Sequence, residues 1–320
     1  MRGYVIRRIL LLIPTVFFVS IIVFFLVRFV PGSIIDILQG TLSRGGMGVT
    51  VDRSTIEHAL GLDVPAYVQY GRWIGGIILH GNFGTSLMHG KPVMDMIAAR
   101  IPITFELGML AIIIDVIIAI PVGVYSAVRQ DTIGDYIART ISVLLIAVPS
   151  FWLATLIMIY PSIWWGWSPP LRIVPFAQDP GANLAIYVIP AIILGAATAG
   201  GTMRMTRTMM LEVMRQDYIK TAWAKGLTEM TVITRHAMKN AFIPVITILG
   251  NGLGILIGGT VIIEQIFALP GMGMLMLQAL NDRDYPLVSA ITLLVSVFVM
   301  VCNLLVDISY SWLDPRITYQ

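Results

Sequence analysis

The sequence predicts an all-α integral membrane protein, and three observations carry that expectation. The chain has 320 residues, of which 57% are hydrophobic and only 12% charged, whereas a soluble domain carries roughly a quarter charged residues. Mean hydropathy is +0.84. The apolar residues also gather into runs long enough to cross a bilayer as helices, which takes about 20 residues each. A net charge of +3 is too small to suggest a nucleic-acid partner. The one cysteine, Cys302, lies within an apolar run, so neither a disulfide framework nor a thiolate metal cluster is expected.

Six runs qualify as spans, and each follows from its own residues. MRGYVIRRIL leads into the first, Ile9 to Val30, which Pro31-Gly32 ends. That run is longer than a signal-peptide core and lacks a small-residue cleavage site, so it reads as a retained helix. The others are Ile103–Val128, Ile137–Tyr160, Leu184–Met203, Phe242–Ile263 and Leu287–Ser309. Basic residues set the orientation. With the N-terminus inside, thirteen of the twenty-one Lys and Arg fall in short inside segments, and most of the rest lie in one long loop where the bias counts less. The predicted topology is six spans, N-in and C-in.

Two segments are too long to be plain connections. Residues 31–100 form the first outside loop. Gly45-Gly46 and Gly81-Asn82 read as turns there, and Pro65-Ala-Tyr-Val-Gln-Tyr-Gly-Arg-Trp reads as a helix, so an ordered cap is expected. Residues 204–241 form the longest inside loop. From Met205 to Lys225 the loop has no proline and is rich in good helix formers. Gly226 closes that helix as a residue just past the C-cap. Thr228 then reads as an N-cap, a second helix runs to about Asn240, and Pro244 falls in the first turn of the fifth span. On a single helical wheel Ile219 and Trp223 face away from Met210 and Met214. A helix lying on the membrane would separate apolar from charged residues, whereas one gripped by another protein need not. The alternative is a connector whose arginines only enforce topology.

Other residues carry weaker signals. Asp115 lies near the middle of the second span, where a charge is costly unless it faces protein or water. It either lines a solute path or bonds a neighbouring hydroxyl between helices. Glu106 and Asp307 sit near span ends, and Glu264 ends the fifth span where water is in reach. Gly250, Gly254 and Gly258 make two overlapping G-x-x-x-G steps, a helix-packing pattern in lipid. Trp164, Trp165 and Trp167 suit an interfacial belt. Phe267-Ala-Leu-Pro-Gly-Met-Gly is either an outside turn or a re-entrant element at a gate or docking platform. The four histidines show no metal-ligand spacing, so no metal site is expected.

The stretches Y-I-K-T-A-W-A-K-G-L and R-H-A-M-K-N-A-F-I-P, within residues 217–244, resemble the coupling loop of ABC-transporter permease subunits of the dipeptide/oligopeptide/nickel branch. So do RRILLLIP, LGLDVPAYVQY, GNFGTSL, IPVGVYSAV, RMTRTMMLEV, EQIFALPGMGMLMLQAL, RDYPLV and NLLVDISYSWLDPRI, in order along the whole chain. Against the general permease pattern, Lys220-Thr221-Ala222 stands where Glu-Ala-Ala is usual, and Lys239 stands at the terminal proline position.

The resemblance implies a type I ABC importer permease fold: the first helix at 1–30, the outside loop at 31–100, the permease domain at 101–310 and a tail at 311–320. It implies docking to an ATPase through Tyr218, Lys220, Thr221, Ala222, Lys225, Gly226 and Leu227, with Asp115, Gly254 and Gly258 as candidates for the solute path. The implied partners are a second permease, two ATP-binding subunits, an extracytoplasmic solute-binding protein and membrane lipid, in a bacterial or archaeal cell membrane. The cargo would be peptides or a related small solute. No cofactor is expected in this chain, which has no G-x-x-x-x-G-K-[ST] phosphate loop; ATP belongs to partner subunits. A proton-coupled secondary transporter would call for paired ionisable residues in the spans and inverted repeats. An intramembrane enzyme would call for H-E-x-x-H, paired membrane aspartates or a nucleophile with its base.

Overall fold

The computed structural model describes residues 2–28, 63–170 and 172–313, with the side chains at 2–5, 255–259 and 310–313 outside that description. The described residues are helical apart from turns, loops and an isolated bridge between Thr85 and Pro92. The first six helices are α1 (Arg2–Arg28), α2 (Ala66–His80), α3 (Val93–Ala98), α4 (Ile101–Val128), α5 (Ile133–Ala147) and α6 (Ser150–Trp165). There follow α7 (Pro180–Met214), α8 (Asp217–Ala224), α9 (Glu229–Thr231), a π-helical turn Val232–Ala237, α10 (Met238–Ile266), α11 (Met272–Asn281) and α12 (Tyr285–Leu313).

Two compact units share the chain. The first comprises residues 1–6, 103–269 and 299–320, and the second 7–102 and 270–298. In the first unit, Leu107, Ala111, Asp115, Ala119 and Gly123 recur every four residues along α4 and are all buried. They meet Gly195, Ala199, Thr202, Met203 and Thr206 of α7. A Cβ on Gly195 would stand 2.5 Å from the Ala111 carbonyl oxygen, so only glycine permits this approach. Small residues take this role in membranes because lipid gives no hydrophobic drive to helix pairing, and close contact must supply the attraction instead. A larger core of Leu107, Tyr187, Ile193, Ile263 and Phe267 lies beside it.

The second unit packs α3, α11 and the start of α12 around Val93, Ile97, Leu275, Leu287 and Ile291. The expected helix after Pro65 is present as α2. It packs Tyr70 edge-on and Trp73 at a tilt against Phe24 of α1, and the Tyr70 hydroxyl bonds Ser20 at 2.8 Å. Gly45-Gly46 and His58 lie outside the described residues.

The spans depart from expectation in two places. The predicted run 137–160 is two helices, α5 and α6, bent by 88°. Pro149 is the cause, because the residue before a proline is driven out of the helical region. Val148 accordingly sits at φ −82°, ψ 118°, and Pro149 caps the next helix. The fourth run is not confined to 184–203 either. Asp179 accepts the Ala182 amide at 3.0 Å, Pro180 opens the first turn, and α7 continues without interruption to Met214. By length and apolarity, 6–28, 93–128, 180–214 and 285–309 are each sufficient to cross a membrane, and α5 with α6 makes a fifth if the bent pair is one span. The fifth predicted run, 242–263, lies in α10 and includes residues outside the described side chains.

Candidate coupling surface

The loop between α7 and α10 folds into a small packed knot. The expected single helix from Met205 to Lys225 is broken at Arg215-Gln216, where Gln216 turns extended at ψ 150°. The break lets α8 turn back on the chain. Ile219 and Ala222, three residues apart, are then buried in one cluster with Met210, Ala127, Val232, Ile233 and Ala237. Ile219 and Met210 are fully buried, each a gain of about 2 kcal/mol. Ile219 therefore joins Met210 rather than facing away from it, because the two residues do not share one helix. The mixed faces seen on a single wheel are two helices with ordinary inner and outer sides.

Gly226 ends α8 as expected. Its φ is +73°, the left-handed region that costs a residue with a Cβ about 1–2 kcal/mol. The Leu227 amide reaches back to the Ala222 carbonyl at 3.4 Å, and the Gly226 amide to Trp223 at 2.9 Å. These are the two bonds of a Schellman closure, and Leu227 packs on the same cluster as Ala222, the usual apolar companion contact. Thr228 has the extended backbone of an N-cap, but its hydroxyl meets that of Thr231 at 2.9 Å rather than a backbone amide. The second helix does not stop near Asn240. A π-helical turn carries the chain straight into α10, so Pro244 is the seventh residue of that helix rather than lying in its first turn.

Of the residues the resemblance points to, Tyr218, Lys220, Thr221, Lys225 and Gly226 are exposed, while Ala222 and Leu227 turn inward. Trp223 and Met230 are also exposed, at 41% and 69%. Lys220 pairs with Asp217 at 2.8 Å, and that ammonium holds the Asp217 carboxyl below the usual range. An exposed pair of this kind contributes little to stability. The outer face is thus a patch of aromatic, methionine and basic side chains on a rigid frame. The Asn240 amide donates to the Tyr218 hydroxyl at 2.7 Å, and Arg129 meets Glu229 at 3.6 Å.

The frame depends on a residue the sequence did not single out. Asp135, in the first turn of α5, is fully buried. Arg207 of α7 grips both its oxygens, Nε to Oδ1 at 2.8 Å and Nη2 to Oδ2 at 2.9 Å. The Ser126 hydroxyl and the Asp131 amide also donate to it, and Arg139 approaches at 3.5 Å. This latch ties the end of α4 and the start of α5 to the part of α7 that leads into α8. Thr132 three residues earlier, accepting the Asp135 amide, was the only local signal. The main partner is 72 positions away.

Asp115 is 3% exposed and accepts from the Thr202 hydroxyl of α7 at 3.1 Å. That contact is the one the helix-packing alternative calls for. Asp115→Asn keeps an acceptor of the same size there, so solute uptake by the assembled transporter is expected to stay within about twofold of wild type. Loss of uptake from a normally assembled variant would place Asp115 in the solute path. Gly250 and Gly254 lie against Val306 and Val299 of α12. The first approach leaves no room for a Cβ, so Gly250 packs within this chain, and a Cβ on Gly254 would stand 3.0 Å from Val299; the surroundings of Gly258 lie outside the described residues. Glu264 does not meet water as expected: it is fully buried and accepts from the Thr104 hydroxyl at 2.6 Å. Trp164, Trp165 and Trp167 are exposed at the end of α6. Phe267 to Gly273 leads out of α10 into α11, with Gly271 as the N-cap residue of that helix. Among the described residues no group of three or more His, Cys, Asp or Glu side chains could hold a metal ion.

Comparison with known proteins places this knot in a family. Residues 119–319 match the family model of the binding-protein-dependent transport system inner membrane component, and residues 1–108 match that of its N-terminal region. A putative peptide transport system permease of Brucella abortus (strain 2308) is 40% identical over 319 residues, covering all of both chains. The oligopeptide transport system permease AppB of Bacillus subtilis (strain 168) is 38% identical, and the dipeptide transport system permease DppB of Escherichia coli (strain K12) 35%, again over the full lengths of both. A solved inward-facing structure of the MetNI methionine ABC transporter matches the fold with a TM-score of 0.54 at 16% identity, over 69% of this chain and 97% of that one. The chain belongs to the binding-protein-dependent inner membrane component family and is a permease subunit of an ABC importer.

Proposed function

We propose that the chain forms, with a second and different permease, the membrane pathway for di- or oligopeptides delivered by a solute-binding protein. The observation that carries this is identity of 35–40% over the full length to permeases named for peptide, oligopeptide and dipeptide transport. In this reading six spans lie N-in and C-in in a bacterial inner membrane, and α10 supplies the fifth. One of two ATP-hydrolysing subunits binds the exposed face of α8, and this chain holds no cofactor of its own. The knot is suited to the task because it is packed rather than slack. A push on Tyr218, Lys220, Thr221, Trp223 or Lys225 is carried through Ile219 and Ala222 to the ends of α4, α7 and α10. Rigid-body coupling needs such a packed element.

Purification with its companions from the native membrane, followed by mass spectrometry of the retained solute, tests the reading. Peptide bound in a complex with two permeases and ATPases is expected. A complex that retains only a metal chelate or a sugar would overturn the peptide assignment.

A further inference from the structure

In the first unit, α4, α5 and α7 enclose a small open crevice whose polar lining is Ser126, Ser142, Arg139, Arg204 and Arg207. Arg207 is committed to the buried Asp135 through both carboxylate oxygens. Arg139 is not committed in that way. It lies over the Tyr136 ring at 4.4 Å and approaches Asp135 at 3.5 Å, yet its Nε and Nη2 are buried without a hydrogen-bond partner. Buried donors are almost always paired, so these two point to an acceptor from outside the chain. The Arg139 side chain as a whole is 39% exposed, which opens the group to such an acceptor. Arg204 is exposed and has no ion pair among the described residues. Three guanidiniums thus share the crevice with one buried carboxylate. The exposed Asp131 also acts on Arg207, and with it counted the positive charge is still in excess. On α5, Ile133, Ile137, Ile141 and Leu144 form an apolar stripe at helical spacing, and all four are exposed.

We infer that this crevice binds the phosphate of an anionic phospholipid of the cytoplasmic leaflet, with the acyl chains along the exposed stripe of α5. The inference rests on the six-span, N-in topology of the proposed function. In that topology Arg139 stands just inside the inner end of the predicted third span, 137–160, and Arg204 immediately follows the fourth, 184–203. Both guanidiniums then lie at the level of the headgroups. A guanidinium offers phosphate a fork of parallel donors, which suits the unpaired Nε and Nη2 of Arg139. Basic pockets between helices on the cytoplasmic side recognise anionic headgroups in this way. A free phosphate would satisfy the cations equally well but leave the apolar stripe bare, whereas a lipid meets both.

The test is lipid retention by the complete transporter, purified from membranes that hold phosphatidylglycerol and phosphatidylethanolamine and read by native mass spectrometry. Wild type is expected to retain phosphatidylglycerol in preference to phosphatidylethanolamine. Arg204→Gln and Arg139→Gln should each lower that retention about fivefold, with phosphatidylethanolamine unaffected. Arg204 has no ion pair to lose, so Arg204→Gln should also melt at the wild-type temperature, which separates lipid binding from folding. Equal phosphatidylglycerol retention by wild type and both variants would overturn the proposal. So would inorganic phosphate that binds wild type but not Arg204→Gln in phosphatidylcholine nanodiscs while no phosphatidylglycerol is retained, which would make the crevice a soluble-anion site. Crosslinking of Ile137→Cys to the second permease would overturn it by covering the stripe with protein. Labelling of Ile133→Cys by an impermeant maleimide from outside intact cells would instead sink the six-span reading, and with it the leaflet assignment, even where retention is as expected.

Discussion

Gly226→Pro is expected to leave membrane insertion and subunit assembly intact while reducing ATP-driven uptake at least about tenfold. Proline holds φ near −65° and has no amide hydrogen. At φ +73° it cannot adopt the native backbone, and it deletes the Gly226 bond to Trp223. The combined penalty of about 3 kcal/mol falls on the closure that points Leu227 into the cluster and sets the exit angle toward α9. A Cβ on Gly226 meets nothing within 4 Å, so the damage comes from the backbone and not from a clash inside this chain. Gly226→Asn, which tolerates the left-handed region, should therefore keep most of the uptake. Uptake and ATP hydrolysis measured on the same proteoliposomes separate the two activities. Normal uptake in Gly226→Pro would remove the loop from the coupling path.

Arg207→Ala should be the most destabilising single change in the first unit. It strips the buried Asp135 of both strong ion-pair contacts and leaves Arg139 at 3.5 Å as the remaining cation. Breaking a buried pair from one side costs about 3–5 kcal/mol, because the abandoned charge stays desolvated. For a unit of this size that is a fall in Tm of about 10 °C, readable by thermal denaturation in detergent. Arg207→Lys should recover less than half, since a single ammonium cannot match both carboxylate oxygens. The double variant Asp135→Leu with Arg207→Leu should be more stable than Arg207→Ala alone. If Arg207→Ala melts at the wild-type temperature, Asp135 is not the latch described here.

These two residues mark the range of what the sequence reveals. Gly226 was legible because its signal is local: a glycine after a run of helix formers, where only a left-handed residue closes the helix without strain. Pro65 ahead of α2 is legible for the same reason. The break at Arg215-Gln216 was not, because every residue from Met205 to Lys225 favours helix and no proline or glycine interrupts them. Burial of Ile219 beside Met210 decides the matter there, and that contact exists only in three dimensions. Asp135 was invisible for a related reason. Its partner lies on another helix, and an acid at the start of a helix is ordinary. The bend at Pro149 had a sequence signal that the surrounding apolar run masked, since hydropathy counts residues without regard to backbone angles.

We propose that the ATP-hydrolysing subunit grips this chain at the exposed face of α8. Cysteines placed singly at Tyr218, Thr221 and Lys225 in the assembled transporter, each with Cys302 replaced by serine, test it by short-span crosslinking. All three positions should join covalently to the ATPase subunit, with yields that change when ATP is added. A cysteine at Ala222, which faces the inner cluster, should not. Failure of all three exposed positions to crosslink in a complex that still transports would contradict the account.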